Sequence, residues 1–274
     1  MTPIITLLTD FGLTDEYVGV MKGVILGICP QARIVDISHA IAAQDIGAAA
    51  HMLQATVGYF PAGTVHMVVV DPGVGSRRRL VAGAIGGQFV VGPDNGALWP
   101  LLASFQVQRV YQLRQSRYFL PEISHTFHGR DIMAPVSAHI ARGVPLARLG
   151  PEMPIDKLVR VDPAEVSIAA HEIRGQIIGS DHFGNLLTNI DQQQLRLMAG
   201  GAAPLLRITL NGQVVCGLSA AYAAKPPGTA VALIGSRGRL EIAVNQGRAC
   251  DFFGAVAGDA LTVHMSAEAS NRRK

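Results

Sequence analysis

Four side chains stand where chemistry collects in α/β proteins. Asp10 follows the apolar run Ile4–Leu8, and Asp71 follows Val68-Val69-Val70. Arg78 lies in the loop Asp71-Pro-Gly-Val-Gly-Ser-Arg-Arg-Arg79, and His128 lies in Ser124-His-Thr-Phe-His-Gly-Arg-Asp131. In open α/β sheets, ligands bind beyond the carboxyl ends of the strands. A carboxylate, a guanidinium and an imidazole there could hold a polar substrate or position a water. Taken singly, Asp10, Asp71 and His128 each read first as structural, a helix cap or a turn residue, and Arg78 in the same loop as Asp71 strengthens the functional reading. Gly73-Val-Gly75 could cradle phosphate, but without a following Gly-Lys-Ser/Thr it reads as well as a tight turn. The nine histidines form no HxH or HExxH and no cluster with cysteine, so no metal site is expected. No serine sits in GxSxG, and Asp10-Phe-Gly12 lacks the catalytic-loop partner of the kinase motif.

The elements that must position these residues follow from periodicity. Ile4–Leu8, Ala32–Ile37 and Thr64–Val70 read as strands. Between them, Tyr17, Val18, Met21, Val24, Ile25 and Ile28 recur at helical spacing, with Thr14 as cap and Asp15 and Glu16 in the first turn. Cys29-Pro30 stops that helix. A second helix spans Asp45–Phe60. The strand–helix alternation predicts parallel strands with crossover helices. Leu80–Ile85 and Gln88–Val91 flank Gly86-Gly87 as a hairpin, followed by a helix over Ala97–Ser104, a strand over Gln108–Leu113 and a helix over Ile132–Arg142. Around Gly150–Ala164 prolines and charges suggest a connector. Beyond it, short strand-like runs (Glu172–Ile178, Leu205–Leu210, Gln213–Leu218, Ala230–Ile234, Leu240–Val244, Ala260–His264) replace helical periodicity. Asn211-Gly212 is a type I′ hairpin signal. The predicted architecture is an N-terminal α/β domain (1–164) with a mainly parallel central sheet, then a C-terminal antiparallel β-barrel-like domain (165–268).

The 274 residues are 49% hydrophobic and 16% charged, which supplies a core and argues against disorder. A net charge of +3 with scattered cations does not suggest nucleic acid, and the Arg272-Arg273-Lys274 tail reads as a solvated end. Cys29, Cys216 and Cys250 form no CxxC and cannot all pair, as in a reducing compartment. The first ten residues lack a basic n-region, and Lys22 interrupts the apolar stretch Val18–Cys29. No membrane contact and a cytoplasmic location are therefore expected.

Six motifs in order carry a resemblance: Thr9-Asp-Phe-Gly-Leu-Thr-Asp-Glu-Tyr17, Val70-Asp-Pro-Gly-Val-Gly-Ser-Arg-Arg78, Gly92-Pro-Asp-Asn-Gly96, Thr126-Phe-His-Gly-Arg-Asp131, Asp181-His-Phe-Gly-Asn-Leu-Leu-Thr-Asn189 and Gly235-Ser-Arg-Gly238. From about residue 4 to about residue 264, the chain resembles the adenosine-forming S-adenosyl-L-methionine (SAM) hydrolases, also called SAM hydroxide adenosyltransferases. They are related to the SAM-dependent fluorinating and chlorinating enzymes.

The resemblance implies the reaction SAM + water → adenosine + L-methionine, with SAM as substrate and no cofactor. It implies a homotrimer in which the nucleoside lies between the N-terminal domain of one subunit and the C-terminal domain of the next. The family's Asp-Arg-His triad falls on Asp71, Arg78 and His128, and its ribose-holding carboxylate on Asp10. Phe127 and Phe183 are apolar walls; Asp181, Phe183 and Asn185 match the motif that lines nucleoside and methionine. Ser236 and Arg237 match the pair near the amino-acid carboxylate. Glu241 and Val244 fall where the adenine is met, and Tyr222 where an aromatic covers it. The halogenases carry tyrosine in place of Asp71. The fluorinase has serine in place of Gly129, a tryptophan near the position of Gln44, and an extra loop after the third strand. A carboxylate repels chloride, which favours water as nucleophile. Alternative readings are a halogenase and a SAM or adenosine sensor without turnover.

Overall fold

The computed structural model describes residues 2–104, 107–161, 164–199 and 205–266. The basic tail and connector residues 162–163 lie outside these. Contacts divide the chain into two compact units, Met1–Val161 and Asp162–Lys274.

The first unit is a seven-stranded sheet between two helical layers. Its strands are β1 (Ile4–Thr9), β2 (Arg33–Ser38), β3 (Val65–Val69), β4 (Leu80–Ile85), β5 (Gln88–Pro93), β6 (Val107–Gln112) and β7 (Glu152–Met153), in the order β2-β1-β3-β5-β4-β6-β7. Pairing is parallel across β2-β1-β3-β5 and antiparallel from β5 to β7, so the sheet is mixed. The β4–β5 pair closes at Gly86-Gly87, where both residues adopt positive φ.

Both faces of β1 and β3 are covered, which explains apolar runs broken inside the strands only by Thr6 and His66, which bond each other. Ile5, Leu7, Val65, Met67 and Val69 pack with α1 (Tyr17–Ile28) and α4 (Ala134–Ala141). Leu8, Val68 and Val70 pack with α2 (Ile46–Thr56) and α3 (Trp99–Ser104). The sequence put the first cap at Thr14, but α1 begins at Tyr17 with no side-chain cap and no acid in its first turn. Its buried face, Val18, Met21 and Ile25, holds it. Each such side chain contributes about 1.5–3 kcal/mol on burial, against about 1 kcal/mol for a cap. Residues 11–16 remain in the loop because Gly12 N–H donates to His39 C=O (2.7 Å). The second expected helix, Asp45–Phe60, is α2 over Ile46–Thr56: Asp45 is its cap, accepting from Ala48 N–H at 2.8 Å, and a short 3₁₀ turn follows Thr56. The supposed connector contributes β7, whose Met153 pairs with Val110.

One polar chain runs through this core. Thr6 Oγ1 lies 2.8 Å from His66 Nδ1, and His66 Nε2 lies 3.2 Å from Gln88 Oε1. Burial pushes His66 down to about 4, while the Gln88 bond pulls the other way. Between the ordinary value of 6.5 and about 4, the unfolded chain takes up a proton that the native state refuses. Stability is therefore expected to fall as pH falls through that window and to lose nothing more from His66 below it. Urea midpoints measured from pH 7 to pH 4 should drop, and His66→Gln should flatten the slope. An unchanged slope would assign the titration to another group.

The second unit is an eight-stranded antiparallel sheet rolled into a barrel. It comprises β8 (Ser167–Ala169), β9 (Glu172–Ser180), β10 (Leu186–Asp191), β11 (Leu205–Leu210), β12 (Gln213–Cys216), β13 (Ala230–Ile234), β14 (Arg239–Val244) and β15 (Ala260–Ser266). The order is β12-β11-β15-β9-β10-β14-β13, with β8 added to β9. Just past β12, Ser219 N–H donates to Ala232 C=O on β13 (2.7 Å), drawing the two ends together. Ile173, Ile177, Leu186, Ile208, Leu240 and Ile242 fill the interior. Asn211 (φ 47°) and Gly212 (φ 76°) make the β11–β12 turn with the two positive φ values that type I′ demands. Two helices, α5 (Gln192–Ala199) and α6 (Ala249–Phe253), correct the all-strand expectation for this part. Among the described residues, no helix is long and apolar enough to cross a membrane.

Candidate active site

Strands β1 and β3 are parallel neighbours, with Thr9 paired to Val69, so the residues leaving them, Asp10 and Asp71, emerge at one sheet end. After Asp71 the chain makes two consecutive turns, closed by Val74 N–H to Asp71 C=O (3.2 Å) and Ser76 N–H to Gly73 C=O (3.1 Å). Gly75 (φ 78°) is required here, because a Cβ would stand 2.4 Å from His125 O. The turns fold Arg78 back onto Asp71 as a fork. Its Nε donates to Oδ1 at 2.5 Å and its Nη2 donates to Oδ2. The same Nη2 donates to His128 Nδ1 at 3.0 Å. Side-chain exposure is 9% for Arg78 and 5% for Asp71, so this bidentate pair is largely shielded from water. Arg79 is used differently, tying Asp94 and the Lys157 carbonyl together.

His128 precedes a π-helical turn, Gly129–Met133, that leads into α4; the sequence placed the helix start at Ile132. The wide turn is closed by Ala134 N–H donating to Gly129 C=O, five residues back. Such turns inside helices are rare and recur at functional sites. Buried Asp131 accepts from Ser124 N–H (2.8 Å) and from Arg130 Nε (2.5 Å), bracing the segment before His128. Phe127 packs edge-on against Phe11 and Tyr17, at 5.7 and 5.2 Å between ring centroids. Burial lowers the His128 pKa and the Arg78 charge lowers it further, against the opposing pull of Asp71. A guanidinium N–H can only donate, so Nδ1 is an acceptor. The ring is therefore neutral, with its proton on Nε2.

These side chains line a cleft of about 290 Å³ whose walls include Asp10, Gln44, Asp71, Phe127 and His128. The sequence expectation for Asp10, Asp71, Arg78, Phe127 and His128 thus meets one locus in the first unit. Gln44, which stands near the position of the fluorinase's tryptophan, lines the same cleft. It adopts φ 67°, strained for a residue with a side chain, and its N–H donates to Asp10 Oδ2 at 2.8 Å. Among the described residues this is the one donor to Asp10, which leaves Oδ1 for a ligand.

The remaining expected residues belong to the second unit. Asp181 closes its own loop, Oδ1 accepting from the N–H groups of Phe183 and Asn185 (both 2.9 Å) and Oδ2 from Asn185 Nδ2 (2.9 Å). That loop holds Phe183 71% exposed, an unusual position for a large apolar ring. Tyr222 Oη donates to buried Glu241 at 2.6 Å. That bond, with burial and the charge on Glu241, pushes the phenol up to about 12. Exposed Ser236 and Arg237 sit in the β13–β14 turn, closed by Gly238 N–H to Gly235 C=O (2.9 Å). The Val244 side chain packs into the barrel core.

A strand-end cleft with a forked carboxylate–guanidinium pair and a neutral imidazole defines an α/β protein built to orient a small polar ligand. The family models narrow that class. The SAM hydroxide adenosyltransferase N-terminal domain matches residues 5–150 and its C-terminal domain matches residues 175–262. The chain belongs to this family. An (R)-S-adenosyl-L-methionine hydrolase of Salinispora tropica is 36% identical over 267 residues, covering 96% of this chain and 98% of the relative. The Thermus thermophilus protein of the same name is 38% identical, covering 90% and 94%. A fluorinase of Nocardia brasiliensis is 32% identical, covering 89% and 90%. The crystal structure of an uncharacterised conserved protein from Thermotoga maritima superposes with a TM-score of 0.89 at 32% identity, covering 95% and 99%.

Proposed function

We propose that this protein hydrolyses SAM to adenosine and L-methionine, water attacking the ribose C5′. The observation that carries this is the Asp71–Arg78–His128 cluster in a cleft whose rim bears Asp10. A new O–C5′ bond forms as the C5′–S pair withdraws onto sulfur, which leaves as a neutral thioether and needs no acid. Once bonded to C5′, the water oxygen is strongly acidic, so a carboxylate suffices to take its proton. Asp71 fills that role. The His128 Nε2–H donates toward the water oxygen, because Nδ1 is engaged by Arg78. Placing water, carbon and sulfur in line supplies much of the acceleration. The sulfonium charge vanishes as the bond breaks, and the Phe127 wall keeps that step shielded from bulk water.

Asp10 holds the ribose hydroxyls through Oδ1. Asp10→Ala is expected to raise KM for SAM by about 10–100-fold with a much smaller change in kcat, as for lost hydrogen bonds to a charged group. An unaltered KM would remove Asp10 from this role. Asp181, Phe183, Asn185, Tyr222, Ser236, Arg237 and Glu241 contact nucleoside and methionine, and Val244, whose side chain faces the barrel core, meets the adenine through its backbone. The protein works as a cytoplasmic homotrimer with no added cofactor. Its mass in solution tests the assembly. Incubation with SAM followed by chromatography tests the reaction: adenosine is expected, with or without added chloride. A halogenated nucleoside would reassign the nucleophile, and tight binding without product would make the protein a sensor.

A further inference from the structure

His39 is a buried histidine that the reaction does not use, its side chain only 3% exposed. It touches the Asp10 loop on both sides of the carboxylate. Its Nδ1 lies 2.8 Å from Thr9 Oγ1, and its carbonyl accepts from Gly12 N–H at 2.7 Å. Thr9 Oγ1 already accepts from Phe11 N–H (3.3 Å), so its own hydrogen is available to His39 Nδ1. Behind the ring, Asp36 Oδ1 stands 3.1 Å from Nε2, and Lys22 of α1 donates to Asp36 Oδ2 at 2.6 Å. A carboxylate beside Nε2 favours the proton there and leaves Nδ1 as acceptor, the role the Thr9 hydroxyl requires. Nε2 makes no aligned hydrogen bond, so Asp36, held by Lys22, acts on the ring by its charge at 3.1 Å, while the bond to Thr9 is the one that fixes the ring on the Asp10 loop.

We infer that His39 is a positioning residue for the reaction: it clamps Thr9 and Gly12 so that Asp10 Oδ1 meets the ribose hydroxyls. The inference rests on the reading of Asp10 as the ribose ligand. A loop held at one side only would let the carboxylate swing, and misplacement by about 1 Å is costly where geometry carries binding.

The test measures KM and kcat for adenosine release in His39→Leu, His39→Asn and Thr9→Val, each in the native and the Asp10→Ala background. His39→Leu and Thr9→Val should each raise KM about 5–20-fold, the cost of one buried hydrogen bond, with kcat within about threefold. His39→Asn, whose amide oxygen can stand near the Nδ1 position, should stay within about threefold of native KM. In the Asp10→Ala background the His39→Leu penalty should shrink below about twofold, since the two substitutions remove one function. Thr9→Val deletes a single hydroxyl and breaks the same bond from its other end, so it decides the matter where His39→Leu does not fold. An unmoved KM in Thr9→Val, or an equal His39→Leu penalty with and without Asp10, overturns the inference alone. A KM unmoved by Asp10→Ala itself overturns the ribose reading and the inference with it.

Discussion

Asp71→Asn is expected to lower kcat for adenosine release by about 10²–10⁴-fold, the range for losing a positioned proton acceptor. The amide matches the carboxylate in shape, so the strand end and both turns of the loop persist. It cannot take the proton from the attacking water, and one of its two heteroatoms must present N–H to the Arg78 fork. KM should move little, because Asp71 acts on water while Asp10 holds the nucleoside. Initial rates from chromatography, with a thermal melt as the check on folding, decide it. A kcat within threefold of native would strip Asp71 of its role.

The second large effect is expected at Arg78, and it reaches stability as well as rate. Arg78→Met leaves the shielded Asp71 carboxylate and His128 Nδ1 without the donors they now share. Breaking one side of a buried ion pair costs about 3 kcal/mol or more, and kcat should fall with it. Arg78→Lys restores charge but not the fork, since one ammonium cannot serve both Asp71 oxygens and the imidazole in that geometry. The double variant Asp71→Asn/Arg78→Met should recover most of the stability and none of the activity. Urea midpoints beside initial rates separate the two effects. Full activity in Arg78→Met would show that the guanidinium only braces the fold.

What could be read from the chain follows the reach of each interaction. Asp10 and Asp71 were legible because β-branched runs end abruptly in carboxylates, and parallel pairing then places both at one sheet end. Arg78 was distinguishable from Arg77 and Arg79 only through the six ordered motifs; its selection depends on how Gly75 lets the loop fold. His39 and Gln44 were not legible as site residues. One acts through a side chain 30 residues from its partner Thr9, the other through a backbone N–H with positive φ. Helix α5 escaped because Gln-Gln-Gln-Leu-Arg-Leu-Met-Ala presents a thin apolar face, with Leu195 and Met198 buried. Strand β10 escaped because its apolar pair Leu186-Leu187 runs straight into Thr188-Asn189, polar residues that the fold buries. The Thr14 cap failed because Gly12 N–H is tied to His39 C=O and Tyr17 is drawn into a ring cluster with Phe11 and Phe127.

The π-turn at Gly129–Met133 has a consequence for how this protein can change over time. Each residue advances an α-helix by about 100°, so trimming the extra residue would carry His128 about that far around the axis, away from Arg78. The trimmed helix would gain regular hydrogen bonding. Local winding energy and the heading of one imidazole therefore select in opposite directions at this point. A single-residue deletion in this segment therefore strikes the reaction rather than the fold, whereas the buried residues of Ala134–Ala141 meet α1 and the sheet and lie off the cleft.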